Sequence, residues 1–177
     1  VFNEITMKSG PVATNLLRQL VQLAAEEDPT RPSTSAANSS DDDPTARYSQ
    51  LLAHNKYFGW YNGSVDDFGA WADNIHSNFP NRCIGVSEYG AGANIRQHSE
   101  NPVKPTPDGA FHPEEYQNLY HEIQWQQMQA RPFLWCKFVW NLCDFAADAR
   151  NEGSAPGRND KGLVTYDRLV RKDAFYW

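Results

Sequence analysis

The chain has 177 residues, 40% hydrophobic and 21% charged, with a net charge of −6 and a pI near 5.3. That balance excludes a disordered chain, and its scattered basic residues form neither the stripe that nucleic acid requires nor a polybasic membrane patch. No apolar run approaches the roughly 18–20 residues of a membrane span.

Val1-Phe2-Asn3-Glu4-Ile5 reads like the end of a buried strand, and Ala174-Phe175-Tyr176-Trp177 closes the chain as abruptly. We therefore expect a piece of a longer protein, whose compartment is not legible from a missing leader. Gly10-Pro11 opens a helix whose apolar period (Val12, Leu16, Leu17, Leu20, Val21, Ala24) runs to Glu27, where Asp28-Pro29 stops it. Arg31 to Ala37 is a short strand, Asn38 to Thr45 a polar loop, and Leu51 to Tyr57 a second strand. A helix over 65–78 presents Phe68, Trp71, Ala72 and Ile75 on one face. Cys83 to Ser87 is the clearest strand, short and bounded by Pro80 and Gly90.

Residues 89–112, rich in Gly and Pro, form a long loop, and loops of that length are usually functional. The next helix starts at His112-Pro113-Glu114-Glu115, with acids where the dipole favours them, and runs to Ala130. Phe133 to Val139 is an apolar strand opening at Trp140 into a second long loop through Arg158. A last helical start falls at Lys172. Strands alternating with helices imply βαβ units and a parallel sheet, in which functional groups gather at the carboxyl ends of strands.

Six Trp, eight Tyr and nine Phe build a large core and also suit the apolar face of a sugar ring. Cys83, Cys136 and Cys143 lack Cys-x-x-Cys spacing and read as small buried hydrophobes. His54, His98, His112 and His121 share no ligand spacing, so the residues assign no metal.

Two acids stand out. Glu4 and Glu88 each sit where an apolar strand gives out, and a carboxylate there costs free energy unless it is used or paired. Two carboxylates facing one pocket are what glycoside hydrolysis needs: one protonated to assist the leaving oxygen, the other ionised to attack.

With these residues the chain resembles glycoside hydrolase family 2, in its β-galactosidase branch. Asn3-Glu4 is similar to that family's fourth-strand end and Ser87-Glu88-Tyr89-Gly90 to its seventh. The resemblance implies an α/β fold: the C-terminal part of a catalytic (β/α)8 TIM barrel, from the end of strand 4 through strand 8. Over residues 1–177 the sandwich domains and barrel strands 1–3 would be absent. It implies Glu4 as acid/base, Glu88 as nucleophile, and Asn3, Tyr57 and Trp140 in the sugar subsite, with Tyr57 bonded to Glu88. The reaction would be double displacement with retention, needing the two carboxyls about 5–5.5 Å apart.

Asn159-Asp160-Lys161 fits the triplet that holds the uronic carboxylate in the family's β-glucuronidases. The longer wording, Ser87 to Ala93, His112 to Gln117 and Asn151 through Tyr176, resembles the galactosidase branch. The longer match takes precedence here and puts terminal β-D-galactosides first, β-glucuronides as the alternative. Some family members bind a divalent ion near the acid/base, with ligands that would lie upstream of Val1. No cofactor is therefore assigned, and a divalent metal stays open. A barrel needs ~250 residues to close, so a catalytically silent fragment is a further alternative for the isolated chain, whose open edges could pair in a homo-oligomer.

Overall fold

A computed structural model describes all residues, 1–177, which divide into two compact units. The first comprises Val1–Lys56, Ala72–Ser87 and Pro132–Lys137. Its centre is a sheet of β1 (Thr34–Ala37), β2 (Leu51–Asn55) and β3 (Ile84–Glu88), in that order. β1 and β2 are parallel, with Thr34 opposite Leu51 and Ala37 opposite His54. Extended segments flank the sheet. On the β1 side, Ala36 N–H donates to the Phe2 carbonyl (3.0 Å) and Glu4 N–H to that of Ala36 (2.9 Å). On the β3 side, Trp135 N–H donates to Ile84 O (3.1 Å) and Val86 N–H to Cys136 O (2.9 Å). Neighbours therefore follow chain order, and both flanking bridges are parallel.

The apolar residues explain this order. Leu52, Ala53, Ile84 and Val86 are at most 3% exposed, as expected of parallel strands covered on both faces. Helix α1 (Gly10–Glu27) opens at Gly10 with Pro11 in its first turn, as expected. Its apolar stripe exceeds what the unit covers: Leu17 is buried, whereas Val12, Leu16, Leu20 and Leu23 are exposed. Helix α2 (Asp67–Asn78) buries Phe68, Ala72 and Ile75 completely.

Three expectations change. Residues 133–139 form no continuous strand, because backbone pairing with β3 is limited to the few bonds around Trp135 to Lys137. Cys83 is exposed and Cys143 half-buried; only Cys136 is a buried thiol, and burial pushes it up to about 11. The second long loop contains a short antiparallel pair, β4 (Phe145–Ala146) with β5 (Arg158–Asn159). No helix is long and apolar enough to cross a membrane.

The second unit comprises Tyr57–Trp71, Glu88–Arg131 and Phe138–Trp177. Helix α3 (Glu114–Gln129) buries Gln117, Tyr120, His121, Gln124 and Met128 along one face. That face is partly polar because it satisfies loop carbonyls: Gln117 Nε2 donates to Ala91 O (2.8 Å) and Gly162 O (3.2 Å), and Gln124 Nε2 to Phe58 O (3.1 Å) and Val65 O (2.9 Å). Tyr116 Oη adds a bond to the Gly59 carbonyl. Three loops are thereby held without regular secondary structure of their own.

The same logic governs Lys172, which is 1% exposed. Its ammonium donates to Asp144 Oδ1 (2.9 Å), Ala93 O and Asp160 O (both 2.8 Å). Burial raises the Asp144 carboxyl and Lys172 opposes that rise. Removing the ammonium strands a buried carboxylate, so Lys172→Met is expected to destabilise the whole protein by about 3–5 kcal/mol. Denaturant unfolding checks this. Adding Asp144→Asn should recover part of the loss, and a cost under about 1 kcal/mol for the single change would contradict the role.

Candidate functional site

In the first unit, Glu4 lies just past the Asn3–Ala36 bridge with φ 57°. This left-handed conformation costs a non-glycine residue about 1–2 kcal/mol. Asn55, the last residue of β2 and 5% exposed, holds Glu4 in place. Its Nδ2 donates to Glu4 Oε1 (2.8 Å) and to Asn3 Oδ1 (3.0 Å). Its Oδ1 accepts from Ser87 Oγ (2.6 Å). Asn3 and Glu4 are thus brought together on one amide, which is oriented from the residue preceding Glu88.

In the second unit, Glu88 Oε2 accepts the Tyr57 hydroxyl at 2.7 Å. Burial, then the adjacent Glu88, pushes the Tyr57 hydroxyl far above its ordinary value, so it remains a donor at any working pH. The Tyr61 ring meets that of Tyr57 edge-on at 5.2 Å. Gly59 makes this loop possible: its φ is 82°, and a Cβ would collide with Val65.

Lys161 is 1% exposed. Its ammonium sits 4.9 Å from the Tyr61 ring centre and 5.2 Å from that of Trp60, within cation–π range. It pairs with Glu152 Oε2 at 2.9 Å. Asn159, also 1% exposed, accepts the Lys161 backbone N–H through Oδ1 (3.0 Å), while its Nδ2 has no partner. A buried amide donor left unpaired is costly. Trp140 is half-buried, donates its backbone N–H to Tyr89 O (2.8 Å) and packs its ring edge-on against Phe145. Its carbonyl presses on Gly90, where a Cβ would clash.

The second unit therefore gathers Glu88, Tyr57 and, through Tyr61, Lys161 with its neighbour Asn159. Several participants were not selected from the sequence. Asn55 lies within the stretch read for Tyr57, and Glu152 within wording used only for resemblance. Tyr61 closes the stretch of resemblance that holds Asn55, whereas Arg150 carried no signal, since a charged loop residue has no periodicity to mark it. No group of three or more His, Cys, Asp or Glu side chains converges to hold a metal ion.

No protein-family model matches the chain. Over all 177 residues it is 44% identical to a β-glucuronidase of Bacteroides fragilis, spanning 25% of that protein. A crystal structure of an FMN-binding β-glucuronidase from Faecalibacterium prausnitzii L2-6 matches 99% of the chain with TM-score 0.89 and 41% identity, over 28% of that chain. One of a putative β-galactosidase from Bacteroides fragilis matches 93% with TM-score 0.87 and 34% identity, over 25% of that chain. The chain thus spans about a quarter of the relatives it matches. These relatives reverse the order expected from wording. The longer match favoured galactosides, whereas the higher identities belong to proteins named for glucuronides.

Proposed function

The chain belongs to glycoside hydrolase family 2, and we propose that it is the catalytic part of a retaining β-glucuronidase, with residues running from strand 4 to strand 8 of a barrel. Glu88 attacks the anomeric carbon while Glu4 protonates the leaving oxygen, so the glycosidic C–O bond breaks as an ester to Glu88 forms. Water then displaces Glu88, giving its proton to Glu4. Tyr57 donates to Oε2 of Glu88 and orients the carboxylate for attack. Asn55 donates to Glu4 Oε1, which disfavours a proton there and directs it to Oε2. Trp140 and Asn3 serve the sugar subsite.

The observation that carries the glucuronide preference is the pair Asn159 and Lys161. An unpartnered buried amide donor beside a buried ammonium suits a ligand carboxylate, which accepts from both. A galactoside offers only a neutral hydroxyl at that place. Lys161→Met in the whole protein is expected to raise KM for 4-nitrophenyl β-D-glucuronide about 10²-fold while changing β-D-galactoside kinetics far less. Equal losses on the two substrates would restore the galactoside reading. The match to only a quarter of each relative supports a second expectation: the isolated chain is catalytically silent.

A further inference from the structure

Resting on the glucuronide reading, we infer that Glu152 is an internal stand-in for the substrate's carboxylate, released from Lys161 to Arg150 when a uronate binds. Glu152 is the acid that pairs with Lys161, at 2.9 Å. The same oxygen, Oε2, also takes Arg150 Nη1 at 2.7 Å. A second stabilising group stands by: Tyr61 Oη lies 3.3 Å from both Glu152 oxygens and accepts from Arg150 Nη1 at 2.8 Å. Glu152 can therefore leave Lys161 without becoming an unpaired acid.

The burial pattern gives this exchange its direction. Lys161 is 1% exposed at its side chain, Glu152 20% and Arg150 31%. Lys161 is enclosed by Trp60, Tyr61 and Glu152, and cannot remain without an anion at low cost. Glu152 and Arg150 reach water and can keep each other's company there. An incoming uronate carboxylate would meet Asn159 Nδ2, which has no partner, and an ammonium whose present counter-ion has a second cation to go to. A neutral sugar does not compete for the ammonium, so the exchange bears on uronate binding alone. Glu152 is thus a specificity-determining residue that competes with the correct substrate, while Arg150 weakens the competitor.

This assigns opposite signs to two neighbouring substitutions. In the whole protein, Glu152→Gln should lower the ratio of KM for 4-nitrophenyl β-D-glucuronide to that for the β-D-galactoside by about tenfold, because a like charge leaves the subsite. Arg150→Met should raise the same ratio several-fold, since Lys161 is then the only cation paired with Glu152. The double variant should follow Glu152→Gln, as Arg150 has no acid left to draw away. Free glucuronate as a competitive inhibitor should show the same order of Ki. If Glu152→Gln does not fold, Glu152→Asp, with its carboxylate one methylene shorter, should shift the ratio in the same direction.

A ratio unchanged or raised by the Glu152 variants, or shifted the same way by both single changes, would overturn the exchange and leave a structural ion pair. Lys161→Met separates the two failures. If it abolishes glucuronide preference while Glu152→Gln has no effect, the subsite stands and the exchange falls. If Lys161→Met itself spares glucuronide preference, the underlying substrate reading falls.

Discussion

Glu88→Ala in the whole protein is expected to reduce turnover of 4-nitrophenyl β-D-glucuronide by at least about four orders of magnitude. The loss should be this large because, in the mechanism proposed, the carboxylate itself forms the covalent bond. Tyr57, which donates to Glu88 Oε2, has a hydroxyl pushed too high by burial to ionise in its place. The diagnostic result is rescue. Azide entering the vacated space should attack from the face Glu88 occupied and yield the α-glycosyl azide. Retained activity above about a tenth of the original, or a β-azide, would place the nucleophile elsewhere.

Glu4→Ala is expected to show a different pattern, because an acid/base is needed only as far as the leaving group demands a proton. Glucuronides of poor leaving groups should lose about 10³–10⁴-fold in kcat/KM. A 2,4-dinitrophenyl glucuronide should keep its first step and stall at the second, visible as a burst of dinitrophenolate. Azide needs no base, so it should restore turnover and give the β-glycosyl azide, opposite to the Glu88 product. Equal losses across leaving groups would remove Glu4 from the role. Asn55 sharpens the assignment: its Nδ2 clamps Glu4 Oε1 at a residue already carrying the backbone strain of φ 57°, so the carboxyl is held where chain geometry alone would not keep it.

Much of the fold is legible in the sequence. β3 was bounded by Pro80 and Gly90 because an apolar run of five residues is too short for a helix, and α2 showed its face because Phe68, Ala72 and Ile75 recur at helical spacing. Glu4 and Glu88 stood out for the same reason, each being a charge where an apolar run ends. The expectation for α1 was half right: period marked the helix, but period alone does not say how wide a stripe its neighbours cover, and Val12 and Leu16 lie exposed. The strand read over 133–139 shrank because a strand also needs a paired neighbour, which no local pattern reports.

Local order along the backbone, and the acids that end its strands, were thus determined by the sequence by itself, since hydrophobic period and breakers act over a few residues. Only the tertiary structure decided what surrounds Lys161. Glu152 lies nine residues from it, and Arg150 lies 89 from Tyr61, in loops that no sequence repeat marks. Charge pairing of that kind depends on distances of a few ångströms between groups remote in the chain, so the choice between a neutral and an anionic sugar became readable only once those loops were folded.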